Sequence, residues 1–203
     1  MPDVLTAITG NQTSMYEELV REYLDDRTLV LNDEIGQDVI EDYIMYILKW
    51  NKEDKDLPVE VRKPIKIYIS SPGGNVFDAN IFIDIIEASK TPVWGIALDL
   101  VASAAYLVYL ACHERYAFKN SAFLQHEGEI VIENSRSKAK NNVQFFDSQE
   151  KRAKDFILSK TTMTEEFYDS VYEQEMWMYS DKAKEFGVVD NIIGEDCTLE
   201  DVL

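Results

Sequence analysis

The sequence has few of the residues that crosslink small secreted domains or bind metal ions. It contains only two cysteines, Cys112 and Cys197, and two histidines, with no metal-binding spacing between them. Cys112 lies in an apolar stretch, where a cysteine usually behaves as a small hydrophobic residue. We therefore expect reduced thiols in an intracellular, cytoplasmic protein that uses no metal and no other cofactor.

Positive charge and long apolar segments are also scarce. The chain has 20 lysines and arginines against 38 aspartates and glutamates, a net charge of −18. Nucleic acids and anionic membranes bind basic surfaces, so this composition argues against both as partners. The longest nearly uncharged apolar stretch, 100–112, is too short to cross a bilayer and indicates a buried helix. The first thirty residues lack the pattern of a signal peptide.

The chain is long and apolar enough for one domain with its own core. It has 203 residues, of which 46% are hydrophobic. We predict an N-terminal arm at 1–13, a single domain at 14–193 and an acidic C-terminal tail at 194–203.

Predicted strands alternate with predicted helices along the domain. Periodicity and turn residues predict strands at 28–31, 65–69, 92–98, 116–118, 122–124, 188–189 and 192–193. They predict helices at 14–25, 37–50, 102–112, 138–160 and 180–186, one after Gly74 and one from Thr164, with Ser180 capping the last. The short junctions between these elements predict an α/β fold built from βα units.

Two features of this pattern suggest chemistry. Ser70-Ser71-Pro72-Gly73-Gly74 joins a strand to a helix, and is either a plain turn or a place where the backbone closely approaches a substrate. Ser103 stands near the start of the apolar helix among small neighbours. A helix N-terminus there would stabilise a developing oxyanion, although Ser103 is equally placed to be a simple cap.

The two histidines differ in their positions. His113 follows the buried helix, a position that is typical of a helix cap or a surface group. His126 ends an apolar strand, where a polar side chain beside a sheet crevice can serve a site or be merely structural. A serine, a histidine, a glycine N–H donor and a helix N-terminus are the parts of an acyl-transfer site, but none of them is specific alone.

Four segments in order resemble the family of ClpP, the proteolytic subunit of the Clp ATP-dependent protease. They are Tyr-Ile-Ser-Ser-Pro-Gly-Gly at 68–74, Val-Ala-Ser at 101–103, Arg-Tyr-Ala-Phe-Lys-Asn-Ser at 115–121 with Gln-His at 125–126, and Ala-Lys-Glu-Phe-Gly-Val-Val-Asp at 183–190. The resemblance covers about 16–193. It implies a ClpP/crotonase-like spiral of βα units with a protruding long helix, and a serine endopeptidase.

The resemblance also implies roles for individual residues. Ser103 would be the nucleophile, His126 the general base, and Gly74 and Ala104 the donors of the oxyanion hole. Counting back without gaps from Phe-Gly at 186–187 puts Glu175 where the family has its aspartate. A glutamate is one methylene longer. The alternatives nearby are Asp169, Glu173 and Asp181.

By the same resemblance the substrates are peptides or unfolded polypeptides. The chain would form heptameric rings, single or stacked, on which an AAA+ unfoldase docks. ATP would be hydrolysed by that partner, because the chain has no Gly-Lys-Ser/Thr phosphate loop.

The sequence departs from the family pattern on both sides of the predicted site. The glycines that flank the family's serine are absent from Asp-Leu-Val-Ala-Ser-Ala-Ala-Tyr at 99–106, which we expect to reshape the substrate pocket. The family's proline after the histidine is also absent, and only Gly128 represents its glycine-rich strand. We expect peptide binding and ring contacts to differ there.

Three other functions remain open from the sequence. A catalytically silent ClpP-like subunit would keep the fold and lose the reaction. A crotonase-type acyl-CoA enzyme shares the fold but needs no serine–histidine pair. A membrane-bound serine–lysine peptidase would need a spanning segment and a lysine at a dyad position, and neither is visible.

Overall fold

The computed structural model describes residues 14–129, 131, 133 and 135–203, so the predicted arm at 1–13 lies outside the described residues. The helices are α1 (Met15–Asp25), α2 (Met45–Glu53), α3 (Val76–Ala88), α4 (Ala104–Ala111), α5 (Arg136–Lys160), α6 (Glu165–Val171) and α7 (Ser180–Glu185). The strands are β1 (Thr28–Leu31), β2 (Ile65–Ser71), β3 (Val93–Ala102), β4 (Glu114–Phe118), β5 (Ala122–Gln125), β6 (Met176–Tyr179) and β7 (Asn191–Ile193).

The strands form one mostly parallel sheet, which confirms the predicted α/β fold. Its main path runs β1-β2-β3-β4-β7, with every pair parallel. The long strand β3 pairs with β4 through its first half and with β5 through its last three residues. Strand β6 then pairs antiparallel with β5. This branching brings the ends of β3 and β5 side by side.

Helix α4 is the central element of the core, as its apolar sequence predicts. Its Ala105, Val108, Tyr109 and Leu110 have no measurable exposure. The predicted start of this helix was wrong, because Ala102 belongs to β3 and a sharp turn at Ser103 delays the helix to Ala104. Cys112 follows the helix and is buried.

Several predicted boundaries were wrong for identifiable reasons. The helix predicted at 37–50 is a π-helical turn, Ile40–Ile44, followed by α2, and this wider turn still directs Ile44, Ile47 and Trp50 into the core. No strand forms at 188–189, because the N–H groups of both valines are bonded to the Ala183 oxygen at the end of α7.

The start of α7 and the strand before it were also mispredicted. Tyr179 occupies the capping position, and Ser180 donates its hydroxyl to the Phe118 oxygen at 2.6 Å. The sequence Met-Trp-Met-Tyr at 176–179 alternates buried and exposed residues as a strand does, but β6 was not predicted.

Helix α5 confirms the predicted long helix and begins two residues earlier. It has 25 residues, and its buried residue is Ile157, near its C-terminal end. Most of the helix therefore extends away from the core, with one side along the pocket described below.

The predicted acidic tail folds against the sheet. Val202 is fully buried and packs with Ile96, Tyr116 and Ile193. In the part of the chain that the structure describes, no helix is both long and apolar enough to span a membrane.

A buried ion pair connects the residue before β1 to the residue after α2. Arg27 donates to both oxygens of Asp54, at 2.6 and 2.8 Å, and Thr91 donates to the same carboxylate at 2.9 Å. These hydrogen bonds, Arg27 first, hold the pKa of Asp54 below its usual 3.8.

We expect Asp54→Asn to lower the free energy of unfolding by about 3 kcal/mol at pH 7, because it leaves the Arg27 charge buried without its partner. Urea unfolding measures the change, with the exposed Asp56→Asn as control. A carboxyl group with a depressed pKa stabilises the fold above its unfolded pKa and loses this contribution as the pH falls through its folded pKa. The difference from wild type should therefore shrink below about pH 4. An unchanged free energy of unfolding at pH 7 would contradict the prediction.

Candidate active site

Ser103 forms a sharp turn between β3 and α4. Its backbone has φ 54° and ψ −123°, a conformation that non-glycine residues seldom adopt. Such a backbone costs about 1–3 kcal/mol and persists only where the surrounding structure holds it. The Ser103 N–H donates to the Leu124 oxygen of β5 at 2.9 Å. The side chain makes no capping hydrogen bond to α4, so the simple cap considered from the sequence is not what the geometry supports.

The glycine pair packs directly against this turn. Gly73 has φ 99°, and a Cβ there would lie 2.7 Å from both the Ala102 oxygen and the Ser103 Cβ. Gly74 has φ 145°, and a Cβ there would lie 2.4 Å from the Ile35 oxygen. Only glycine lets the two chain segments approach so closely, and this answers why the junction contains two of them.

Hydrogen bonds around the glycines single out one N–H. The Gly73 N–H donates to the Ser71 hydroxyl at 3.2 Å. The Gly73 oxygen accepts from the Ile35 N–H at 2.7 Å, and the Asn75 N–H donates to the Ile35 oxygen at 2.8 Å. The Gly74 N–H takes no part in these bonds. The N–H of Ala104, the first residue of α4, has no partner within the helix.

Gly74, Ser103, Ala104 and His126 line one pocket. The pocket has a volume of about 530 Å³, in the range of small-ligand sites. One wall is the inner side of α5, with Phe146, Gln149, Glu150, Ala153 and Ile157. The structure therefore brings together four of the five residues implied by the resemblance.

His126 follows the last residue of β5 and is partly buried. His113 lies elsewhere, where its Nδ1 accepts from the Val93 N–H at 2.9 Å. Burial lowers the pKa of His113, which favours its neutral, accepting form.

Glu175 is not part of the pocket lining. Its side chain is exposed, and its carboxylate accepts from the Trp177 indole N–H at 3.0 Å. The β5–β6 register nevertheless pairs Gln125 with Met176, so His126 and Glu175 are the next residues along the two strands.

The alternative carboxylates have other surroundings. Asp169 binds Lys154 at 2.6 Å, and Asp181 accepts from the Lys182 N–H at the start of α7. Glu173 is exposed. Of these acids, Glu175 is the one that the strand register brings next to His126.

Two pocket residues, Tyr106 and Gln125, were not recognised as site candidates. Both are buried, with 1% and 4% of their surface exposed. The sequence carried a signal for each. Tyr106 is one of two tyrosines in an otherwise aliphatic helix and lies three residues after Ser103, and Gln125 is a polar residue in an apolar strand.

Comparison with known proteins identifies the family. The family model described as Clp protease matches residues 10–196. The chain belongs to the Clp protease family. It is 27% identical over 177 residues to the ATP-dependent Clp protease proteolytic subunit 2 of Treponema pallidum, a match that covers 85% of each chain. It is 26% identical over 184 residues to the protein of the same name from Treponema denticola, covering 90% of this chain and 89% of that one.

A solved structure of this family shows the same fold. A point mutant of ClpP1 from Listeria monocytogenes superposes with a TM-score of 0.76 at 24% sequence identity, covering 91% of this chain and 99% of that one. The Clp protease fold predicted from the four sequence segments is thus confirmed. The catalytic roles of individual residues stay predictions.

Proposed function

We propose that this member of the Clp protease family is a serine endopeptidase that cleaves short peptides and unfolded polypeptides. The observation that supports it best is the turn at Ser103, a residue whose side chain does not cap α4 and which lines one pocket with His126, Gly74 and Ala104. A nucleophile, a base and two N–H donors on rigid elements are what acyl transfer requires.

The proposed reaction has two stages. His126 accepts the proton of the Ser103 hydroxyl as its oxygen attacks the peptide carbonyl, and the N–H groups of Gly74 and Ala104 bind the resulting oxyanion. The C–N bond then breaks, and His126 gives its proton to the leaving amine. Water attacks the acyl-enzyme ester in the same way, releases the new carboxyl terminus and restores Ser103.

We assign Glu175 as the acid that orients His126. The carboxylate would have to leave the Trp177 indole and move towards the imidazole, just before the start of β6. Assembly or substrate binding are the events that would favour this rotation, because catalytic hydrogen bonds often tighten only in the productive complex.

We further propose a cytoplasmic ring assembly of seven or fourteen subunits that receives substrates from an AAA+ unfoldase. The relatives named above are described as proteolytic subunits of an ATP-dependent protease, and this supports the proposal. Native mass spectrometry of the purified chain measures the number of subunits.

A fluorophosphonate probe tests the proposed nucleophile directly. We expect the folded chain to be labelled at Ser103, as located by peptide mass mapping, and the heat-denatured chain to remain unlabelled. A crotonase-type enzyme would not react. Hydrolysis of fluorogenic peptides without added ATPase is the companion assay.

The second candidate is a catalytically silent structural subunit. It is favoured by the Glu175 carboxylate, which is bound to Trp177. Failure of Ser103 to react in the assembled ring, together with co-purification of an active paralogue, would establish this alternative.

The proposed oxyanion hole predicts a large effect of one methyl group. We expect Gly74→Ala to lower kcat/KM by about 10²–10³, because a Cβ 2.4 Å from the Ile35 oxygen must displace the Gly74 N–H. The matched control is Gly36→Ala in the neighbouring segment, where a Cβ meets nothing within 4 Å. Peptide hydrolysis and thermal melting of both variants measure the effect, and normal activity of folded Gly74→Ala would remove Gly74 from the oxyanion hole.

A further inference from the structure

A carboxylate on α5 binds the segment that begins with the proposed base, His126. Strand β5 ends at Gln125, and residues 126–129 continue outside the sheet, where three of these four residues line the pocket. Within the part of the chain that the structure describes, residues 126–129 form one hydrogen bond, from the Gly128 N–H to the Glu150 Oε1 at 3.2 Å. The position of the segment therefore depends on Glu150.

Glycine at position 128 allows the carboxylate to approach this closely. A Cβ on Gly128 would lie 2.5 Å from the Glu150 Oε1, so any other residue would displace the carboxylate. The backbone of Gly128 is outside the left-handed region, and other residues can adopt its conformation. Close approach to Glu150 is thus what the glycine provides at this position.

The second oxygen of Glu150 binds the end of α6. Tyr172 follows the last residue of α6 and donates its hydroxyl to the Glu150 Oε2 at 3.0 Å. Its ring packs against that of Tyr168, with 5.8 Å between the centroids. Burial and the bond to Glu150 raise the pKa of Tyr172, so its hydroxyl remains a hydrogen donor at neutral pH. The chain then continues to Glu175, the proposed orienting acid.

On the basis of the proposed peptidase function, we propose that Glu150 is a positioning residue whose carboxylate joins the segment of the base His126 to the segment of the acid Glu175. Gly128 lies two residues after His126, and Tyr172 lies three residues before Glu175. The two bonds fix both segments relative to α5. Displacing a catalytic group by about 1 Å can lower the rate about 10²-fold, so this connection matters for the reaction.

A second link between α5 and α6 provides a control for helix packing. Lys154 on α5 binds Asp169 at 2.6 Å and Glu165 at 2.9 Å, both on α6. Lys154 does not line the pocket and makes no hydrogen bond to the segment 126–129. Replacing Lys154 therefore weakens the packing of the two helices without removing the bonds of Glu150.

The smallest change that tests the inference is Tyr172→Phe, which removes the hydroxyl that binds Glu150 and lies outside the pocket lining. We expect kcat for a fluorogenic peptide to fall about three- to tenfold in the assembled ring, with KM unchanged. The rate of Ser103 labelling by a fluorophosphonate should fall in parallel. Tyr43→Phe is the matched control, because the Tyr43 hydroxyl donates to the Val30 oxygen at 2.9 Å, away from the pocket.

Variants of Glu150 separate geometry from charge. Glu150→Ala removes both bonds, and we expect kcat to fall about 10–10²-fold. Glu150→Gln should stay within about threefold of wild type, because its amide can accept from the Gly128 N–H and donate to the Tyr172 hydroxyl oxygen. Lys154→Met should lower the melting temperature and leave kcat unchanged.

Double variants show whether the three residues act as one unit. Tyr172→Phe should lower kcat no further when added to Glu150→Ala, because the partner of its hydroxyl is already absent. Gly128→Ala alone should lower kcat about tenfold, because the new methyl group displaces the Glu150 carboxylate. In the Glu150→Ala background that methyl group meets no carboxylate and should have no effect.

The outcomes separate this inference from the proposed function. An active wild type whose Tyr172→Phe and Glu150→Ala variants keep the same kcat would overturn the inference and leave the serine peptidase intact. Additive losses in the double variants, no rescue by Glu150→Gln, or a change in KM alone would do the same. Absence of cleavage by the wild type, together with an unlabelled Ser103 in the assembled ring, would overturn both. If Glu150→Ala does not assemble, kcat and the labelling rate of Tyr172→Phe decide.

Discussion

Replacing Ser103 with alanine is expected to lower kcat for peptide hydrolysis by about 10⁴–10⁶ without unfolding the protein. The change removes the hydroxyl that we propose as the nucleophile and leaves the pocket, the glycine pair and His126 in place. Steady-state hydrolysis of a fluorogenic peptide by the assembled chain measures the loss, and circular dichroism verifies the fold. Alanine has the same difficulty as serine with φ 54°, so the strain of the turn is retained.

Two further variants make this experiment specific. Ser170→Ala is the matched control, since this exposed hydroxyl on α6 bonds only within its own helix, to the Phe167 oxygen. It should retain full activity. Ser103→Ala combined with His126→Ala should be no less active than Ser103→Ala alone, because residues that act as one unit are not additive. An active Ser103→Ala enzyme would refute the serine mechanism.

Replacing Glu175 with glutamine is expected to lower kcat by about 10³–10⁴ and leave KM nearly unchanged. If Glu175 orients His126, the amide would favour the wrong imidazole tautomer and could not stabilise the imidazolium, as described for the aspartate of serine proteases. The same peptide assay measures both constants. The separation of kcat from KM distinguishes this role from damage to the substrate pocket.

Neighbouring residues supply the controls for Glu175. Glu173→Gln alters an exposed carboxylate nearby and should retain activity. Trp177→Phe removes the indole N–H that binds Glu175 and should raise kcat about two- to tenfold, because the carboxylate no longer has to leave a hydrogen bond. Full activity of Glu175→Gln would mean that another group, or none, orients His126.

Much of the fold could be predicted because the spacing of apolar residues along the chain reflects which side of each strand or helix is buried. The alternation in 65–69 predicted β2, and the uniformly apolar sequence near Tyr109 predicted a central buried helix. Both patterns arise because these residues are buried in the fold, and both are visible in the order of apolar and polar residues. The strand β6 was missed because all four of its residues are apolar, so the sequence shows no alternation. The alternation of buried and exposed side chains appears only when β6 pairs with β5.

The candidate site also has features that the sequence shows and features that only the structure shows. Local sequence was sufficient to single out Ser103, His126 and the glycine pair, because a small-residue turn, a polar strand end and a double glycine are each visible along the chain. The strained backbone of Ser103 was not visible, since it depends on β3 continuing to Ala102 and on the bond to Leu124. Linear spacing also could not reveal that Tyr106 and Gln125 meet in one pocket.

The sequence by itself determined the layer architecture, the Clp protease resemblance and the types of residue available for acyl transfer. Tertiary structure alone decided which N–H of the glycine pair lies outside the surrounding hydrogen bonds, which group the Glu175 carboxylate binds, and which residues line the pocket. The physical reason is that hydrogen bonding and burial are properties of contacts between distant segments. The β3–β5 branch of the sheet creates those contacts by pairing Ala102 with Leu124, and the periodicity within one segment does not specify which other segment it pairs with.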